Sequence, residues 1–171
     1  MILLSRSSLI YSTILYVSLY ASSVLAAETY GAHGADQLTD EQLTLPIMLT
    51  HAIEDEFLAR GEYQVVIEQF GERRPFSNII KAEERHIALL LPLFESYDVD
   101  VPEDQGVMRA AVPDSFAHAV EIGIDAEIAN IAMYKRFLEQ DLSDDIREAF
   151  EILLAGSENH LRAFSRQKAR Q

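Results

Sequence analysis

The chain has no cysteine, only 7 glycines and 5 prolines in 171 residues, and half as many basic as acidic side chains, 14 against 28. Each shortage excludes something. Without cysteine there is no disulfide, no thiolate nucleophile, and no Cys-ligated zinc or iron–sulfur site. Scarce glycine and proline leave too little punctuation for an all-β chain, and long helices fit better. The net charge of −14 repels phosphate backbones and anionic lipid, so neither nucleic acid nor a membrane surface is the expected partner. An acidic surface also simply keeps a protein soluble.

What is present divides at about residue 26. Met1 to Ala26 carries a single charge, Arg6, then an apolar stretch over Leu9–Leu19, and it closes on Ser-Val-Leu-Ala with small residues Val24 and Ala26 before a cleavage point. That order reads as a secretory signal peptide, favoured over an uncleaved anchor because the apolar part is short and Ser-rich. Removing Arg6 with it takes the charge from −14 to −15. The expectation is an exported protein, periplasmic or secreted. Residues 27–38 read as a flexible leader, and 39–171 as one domain.

That domain shows four segments of helical periodicity. The first is expected over about Thr39–Phe70, with Pro46 marking a short opening turn. The second follows Arg74-Pro75 and runs to about Tyr97, with Pro92 near its end. A connection of about 15 residues suits a crossover along a bundle. The third is expected from Pro113-Asp114 to near Gln140, and Ser143 caps the fourth. The reading is all-α: a four-helix bundle of two helix hairpins joined by a crossover.

At 100° per residue, each helix aims ionisable groups into its own apolar stripe. Glu56 centres a stripe of Leu49, Ala52, Tyr63, Ile67 and Phe70, while Glu54, Asp55, Glu62 and Glu68 project elsewhere. Glu83 sits among Ile79, Ile80, Ile87 and Leu90, with His86 one turn on. Glu127 sits among Val120, Gly123, Ile131 and Tyr134. His160 shares a face with Leu153, Gly156, Ser157 and Phe164. A buried carboxylate must be neutralised, paired or bound to metal. Three carboxylates and two histidines on converging stripes favour a metal over structural pairing, and oxygen plus imidazole donors suit iron, manganese or zinc. A lone Glu-x-x-His would be weak; five groups in phase are not. His51 and His118 point away from the core and His33 lies in the leader, so all three read as surface residues.

The chain also repeats itself. Glu56/Tyr63 and Glu127/Tyr134 both read Glu-x6-Tyr, and Lys81–Ile87 aligns with Ala155–Leu161, pairing His86 with His160 and Glu83 with Ser157. The tyrosines read as core aromatics whose hydroxyls support ligand carboxylates.

These features resemble the ferritin-like superfamily, its rubrerythrin-like proteins, and most closely the DUF2202 family of ferritin-like domains. The resemblance spans about residues 40–168 and rests on Ile53–Arg60 with Tyr63, on Ala82–His86, and on Gly156–Phe164. It implies a di-iron carboxylate centre in which Glu56, Glu83 and His86 serve one iron and Glu127 and His160 the other. It further implies ferroxidase- or peroxidase-type oxidoreductase chemistry on O₂ or peroxide. An external electron donor is then required, because a cysteine-ligated rubredoxin-like module is absent, and a homo-oligomer is compatible with it. The departure is Ser157, which stands where the pattern has Glu; Glu158 is turned away from His160. Two metals then require Glu83 to bridge, and the alternative is one metal held well. Asn130, one turn beyond Glu127, either donates a hydrogen bond or occupies the place of an additional ligand, and Arg60 borders the Glu56 stripe either as a partner for a carboxylate or as an ordinary snorkelling arginine. Two other functions stay open: a non-catalytic module that sequesters iron, zinc or manganese, and a metal-free structural bundle.

Overall fold

The computed structural model describes residues 29–171; the signal-peptide reading falls on residues 1–26, outside the described residues. Every regular element described is helical: α1 (Gly31–Asp36), a 3₁₀ turn (Asp40–Gln42), α2 (Leu45–Phe70), α3 (Phe76–Ser96), α4 (Gly106–Arg109), α5 (Phe116–Leu138) and α6 (Asp144–Lys168). No helix among the described residues is long and apolar enough to cross a membrane.

The four long helices are those the periodicity anticipates, with ends set by local chemistry. Pro46 stands in the first turn of α2, where its missing N–H costs nothing. Gly71, at φ 81°, takes the left-handed conformation that ends α2. Helix α5 starts slightly later than the sequence suggests, because Ser115 rather than Asp114 caps it, its hydroxyl accepting from His118 N at 3.1 Å. Pro92 does not end α3, which runs on to Ser96.

Helices α2 and α3 form one hairpin and α5 and α6 the other, and α2 also packs on α5 as α3 does on α6. Glu56 meets Tyr134 while Tyr63 meets Glu127, so α2 and α5 run antiparallel. The crossover between hairpins is anchored midway by α4. A Cβ on Gly61 would lie 2.3 Å from Gly106 backbone, and one on Gly106 only 1.9 Å from Phe57 O. Only two glycines allow this backbone-to-backbone approach.

The interior has two apolar ends and a polar waist. Leu49, Ile53, Leu90, Phe137, Phe150 and Leu153 fill one end; Tyr63, Phe76, Phe116, Val120 and Phe164 fill the other. Glu56, Glu83, His86, Glu127, Asn130, Ser157 and His160 are the buried polar residues, and they fall between.

The segment read as a leader departs from expectation. From Thr29 onward it is docked, with Tyr30, Ala32 and Ala35 buried against α2 and α5. Small residues let α1 lie close, and its first N–H groups are met by carboxylates of α2: Gly31 N donates to Glu54 at 3.1 Å and Ala32 N to Asp55 at 2.8 Å. Arg136 ties the segment from α5, donating to Ala35 O, Leu38 O and Asp40. Periodicity cannot find a six-residue helix whose partners are all distant in sequence.

Candidate metal centre

Each long helix delivers its ionisable group to the waist at mid-length. Glu56, Glu83, His86, Glu127 and His160 are all buried, at 2 to 8% exposure. His86 Nδ1 lies 2.8 Å from Glu83 Oε2 and 3.0 Å from Glu56 Oε2. His160 Nδ1 lies 3.1 Å from Glu83 Oε1 and 3.3 Å from Glu127 Oε1. Glu83 is thus central, one oxygen facing each imidazole, with the two rings stacked 5.5 Å apart. Glu83, His86 and His160 bring one donor atom each within 4.8 Å of one another.

The tyrosines support this set reciprocally. Tyr134 donates to Glu56 Oε1 and Tyr63 to Glu127 Oε1, each at 2.7 Å. Burial, with carboxylate charge nearby, raises both phenols well above their ordinary range, so both keep the proton they donate. Each outer carboxylate has one oxygen held by a tyrosine. Glu56 offers the other to His86, whereas Glu127 Oε1 is shared between Tyr63 and His160.

The electrostatics of the waist are those of opposite charges in a dry site. Burial raises Glu56 and Glu127 despite their histidine partners. Burial would raise Glu83 too, but hydrogen bonding and charge from His160 and His86 overcome it and hold Glu83 low. Burial works to lower both histidines, and the facing carboxylates outweigh it, lifting His86 to about 10 and His160 to about 9. Near neutral pH these groups without a metal therefore hold protons that a cation would displace.

Do these residues fit a metal? Glu83 Oε1 is buried without a well-directed hydrogen bond, although His160 Nδ1 is 3.1 Å away. That oxygen is held only by the charge of His160, the kind of buried position where a bound cation can replace a proton. The donor set, three carboxylates and two imidazoles without sulfur, suits iron, manganese or zinc. The fit is good, and Glu56, Glu83, His86, Glu127 and His160 are the residues that would hold the metal.

The remaining expected residues divide. The Ser157 hydroxyl donates to Asn130 Oδ1, with Leu153 O also within reach of its one proton, and Asn130 Nδ2 donates to Asp55 Oδ2. Ser157 and Asn130 thus belong to the waist as a hydrogen-bonded pair. Arg60 does not: it pairs with Asp104 on the crossover and lies over the Phe57 ring. One turn from Glu56 the arginine is long enough to reach outward, and hydration favours that end. His33 is exposed and His118 remains half-exposed. His51 is only 14% exposed and lies 3.2 Å from Glu54, because α1 covers that face of α2. A Cβ on Gly34 would lie 2.7 Å from the His51 ring.

Two acids set aside by helical phase matter. Asp55 is enclosed between α1 and α5, and burial raises its pKa against hydrogen bonds from Asn130 and Ala32. Glu62 is raised by burial to about 7, and its Oε2 has no partner. Both lie off the stripe, and what encloses them is α1 and the crossover. The one sequence signal was the run Glu54-Asp55-Glu56, three acids spanning two faces of one turn.

Comparison with known proteins gives the fold and the family. The crystal structure of the hypothetical protein MJ0754 from Methanococcus jannaschii DSM 2661 is similar in fold, with a TM-score of 0.65 at 24% identity over 73% of this chain and 79% of that one. In sequence, the uncharacterised protein MJ0754 of Methanocaldococcus jannaschii is 26% identical over 128 residues, 66% of this chain and 69% of the relative. Residues 47–170, which carry all five buried ligand candidates, match the uncharacterised protein domain DUF2202, and the chain belongs to that family.

Proposed function

We propose that this protein is an exported ferritin-like di-iron carboxylate oxidoreductase, of ferroxidase or peroxidase type, acting on O₂ or peroxide with an external reductant. Glu56, Glu83 and His86 would hold one iron, and Glu127, Glu83 and His160 the other. The observation that carries the reading is Glu83, whose two oxygens face two different imidazoles at 2.8 and 3.1 Å. A carboxylate so placed would have one oxygen available to a cation on each side. When bound, iron supplies one-electron redox chemistry. The protein's share is to hold the carboxylates through Tyr63 and Tyr134, keep the imidazoles oriented, and exclude bulk water with the apolar ends.

The test is to load residues 27–171 with Fe(II) anaerobically and add O₂ or peroxide. An optical change that reports iron oxidation, repeated after reductant, supports the enzyme. A second reading, a non-catalytic module sequestering iron, zinc or manganese, draws on Ser157, which removes one carboxylate from the second half. Tight metal binding with no oxidation under either oxidant would select it.

A further inference from the structure

The outward face of α5 carries a ridge that the rest of the described chain leaves exposed. Glu121, Asp125, Ile128, Ala132 and Lys135 follow one another at alternating intervals of four and three residues, and all five are exposed. That spacing keeps side chains on one face of a helix. Ile128 is 52% exposed, the most of any large apolar side chain described on the four long helices. The half-buried Ile124 and Ile131 stand one turn to either side of it.

Beside this ridge, between α5 and α1, runs a groove of about 500 Å³ lined by Ala32 and Ala35 on one side and by Ile128, Ala132, Met133 and Phe137 on the other. Arg136 also borders it, but its guanidinium is held by Ala35 O, Leu38 O and Asp40 and is not offered to an anionic ligand. A protruding apolar side chain and an apolar groove thus share one face, as a two-fold contact between identical surfaces requires.

The charges along the ridge are complementary to themselves. Ile128 is its midpoint, with the acids Glu121 and Asp125 on the N-terminal side and Ala132 and Lys135 on the C-terminal side. A second copy turned antiparallel about Ile128 sets its Lys135 opposite Glu121 and within one turn of Asp125. Asp125 and Lys135 have no ion-pair partner of their own among the described residues, and Glu121 pairs with Lys168 at 3.1 Å. Two acids therefore face two lysines, so this face is balanced in a chain of net charge −14. Two copies can meet here without the repulsion that their total charges impose elsewhere.

We propose that this face is the contact of a two-fold symmetric homodimer, in which the α5 helices of two copies cross antiparallel and the two Ile128 side chains meet on the axis, over the grooves. The inference does not depend on the metal-binding reading, and its failure leaves that reading untouched.

Sedimentation velocity of the purified protein over a range of concentrations is the test. A dimer that dissociates on dilution is expected, with Ile128→Asp and Lys135→Glu each weakening it at least tenfold. Ile152→Asp is the control: Ile152 is 46% exposed on α6, between the exposed Glu151 and the core residue Leu153, and its change leaves the dimer intact. Because the chain has no cysteine, Ile128→Cys adds a single thiol, which on mild oxidation is expected to cross-link two copies at least tenfold faster than Ile152→Cys does. That rate decides the matter if Ile128→Asp does not fold. A parent that stays monomeric up to about 1 mM overturns the proposal. So does a dimer that Ile128→Asp and Lys135→Glu leave within twofold of its parental strength, or equal cross-linking rates for the two cysteine variants.

Discussion

The two hairpins are copies that differ at the waist. Each supplies a glutamate, a tyrosine bonded to the other copy's glutamate, and a histidine whose Nδ1 faces Glu83. The first adds Glu83 itself; the second has Ser157 at that position and Asn130 where the first has Ala59. The outer surroundings differ as well, since α1 and α4 both pack on α2, and α1 also packs on α5. The comparison teaches that with a serine at one carboxylate position the two hairpins still converge on one buried cluster of carboxylates and imidazoles. Glu83, with an oxygen toward each imidazole, faces both halves, and Ser157 joins Asn130 and Asp55 in a hydrogen-bonded chain.

The largest expected effect comes from the shared residue. Glu83→Ala removes the group both halves use, so metal uptake falls at both positions. Glu56→Ala and Glu127→Ala each remove one side and leave the other. Elemental analysis of the three variants checks this; full stoichiometry in Glu83→Ala would sink the bridging assignment.

Next is a substitution that makes the copies more alike and is nonetheless expected to harm. The repeat pairs Ala82 with Gly156, but a Cβ on Gly156 would lie 2.6 Å from His86 Cε1 and Nε2. Gly156→Ala therefore pushes the His86 ring, with a stability loss of about 1–3 kcal/mol by overpacking and weaker metal at the first position. Denaturant unfolding and metal titration read the two effects separately.

The tyrosines test equivalence directly. Tyr63→Phe and Tyr134→Phe each remove one 2.7 Å hydrogen bond to a ligand carboxylate. Each is expected to weaken metal binding about tenfold or somewhat more, as loss of a supporting hydrogen bond does. Similar losses in the two variants mean that the halves remain functionally alike; a loss in one variant only contradicts the reciprocal arrangement.

The smallest effect lies outside the repeat. Burial raises Glu62 from 4.5 to about 7, so the folded state binds that proton more tightly than the unfolded chain. The stability this contributes is complete below about pH 4.5 and is lost as pH rises through 7. Glu62→Gln is thus expected to match the parent at pH 4 and exceed it by about 1–2 kcal/mol at pH 8. Thermal unfolding of the metal-free proteins at the two pH values is the measurement.

Much of this was legible in the residues because helical phase is a strong local signal. Glu56, Glu83, Glu127 and His160 stand in apolar stripes, and their burial follows from the fold that buries those stripes. Ser157 was legible as a departure, since the repeat names its counterpart. What it does instead was not, because the Ser157–Asn130–Asp55 chain joins three helices. Asp55 and Glu62 do point off the stripe, yet both end up enclosed, because phase says which way a side chain points, not what later covers it. The docked segment at 29–38 does that covering, with burial drawn from glycine, alanine and one tyrosine, residues with no periodic signature. Arg60 does pair with a carboxylate, but with Asp104 on the crossover, away from the waist.

The central claim is that Glu83 lets one chain hold two metals. Anaerobic titration of residues 27–171 with Fe(II), followed by metal analysis after removal of free ion, tests it most directly. Two irons per chain, taken up with release of protons from the waist, is the predicted result. A folded protein that retains no metal, or one that saturates at a single ion, contradicts it.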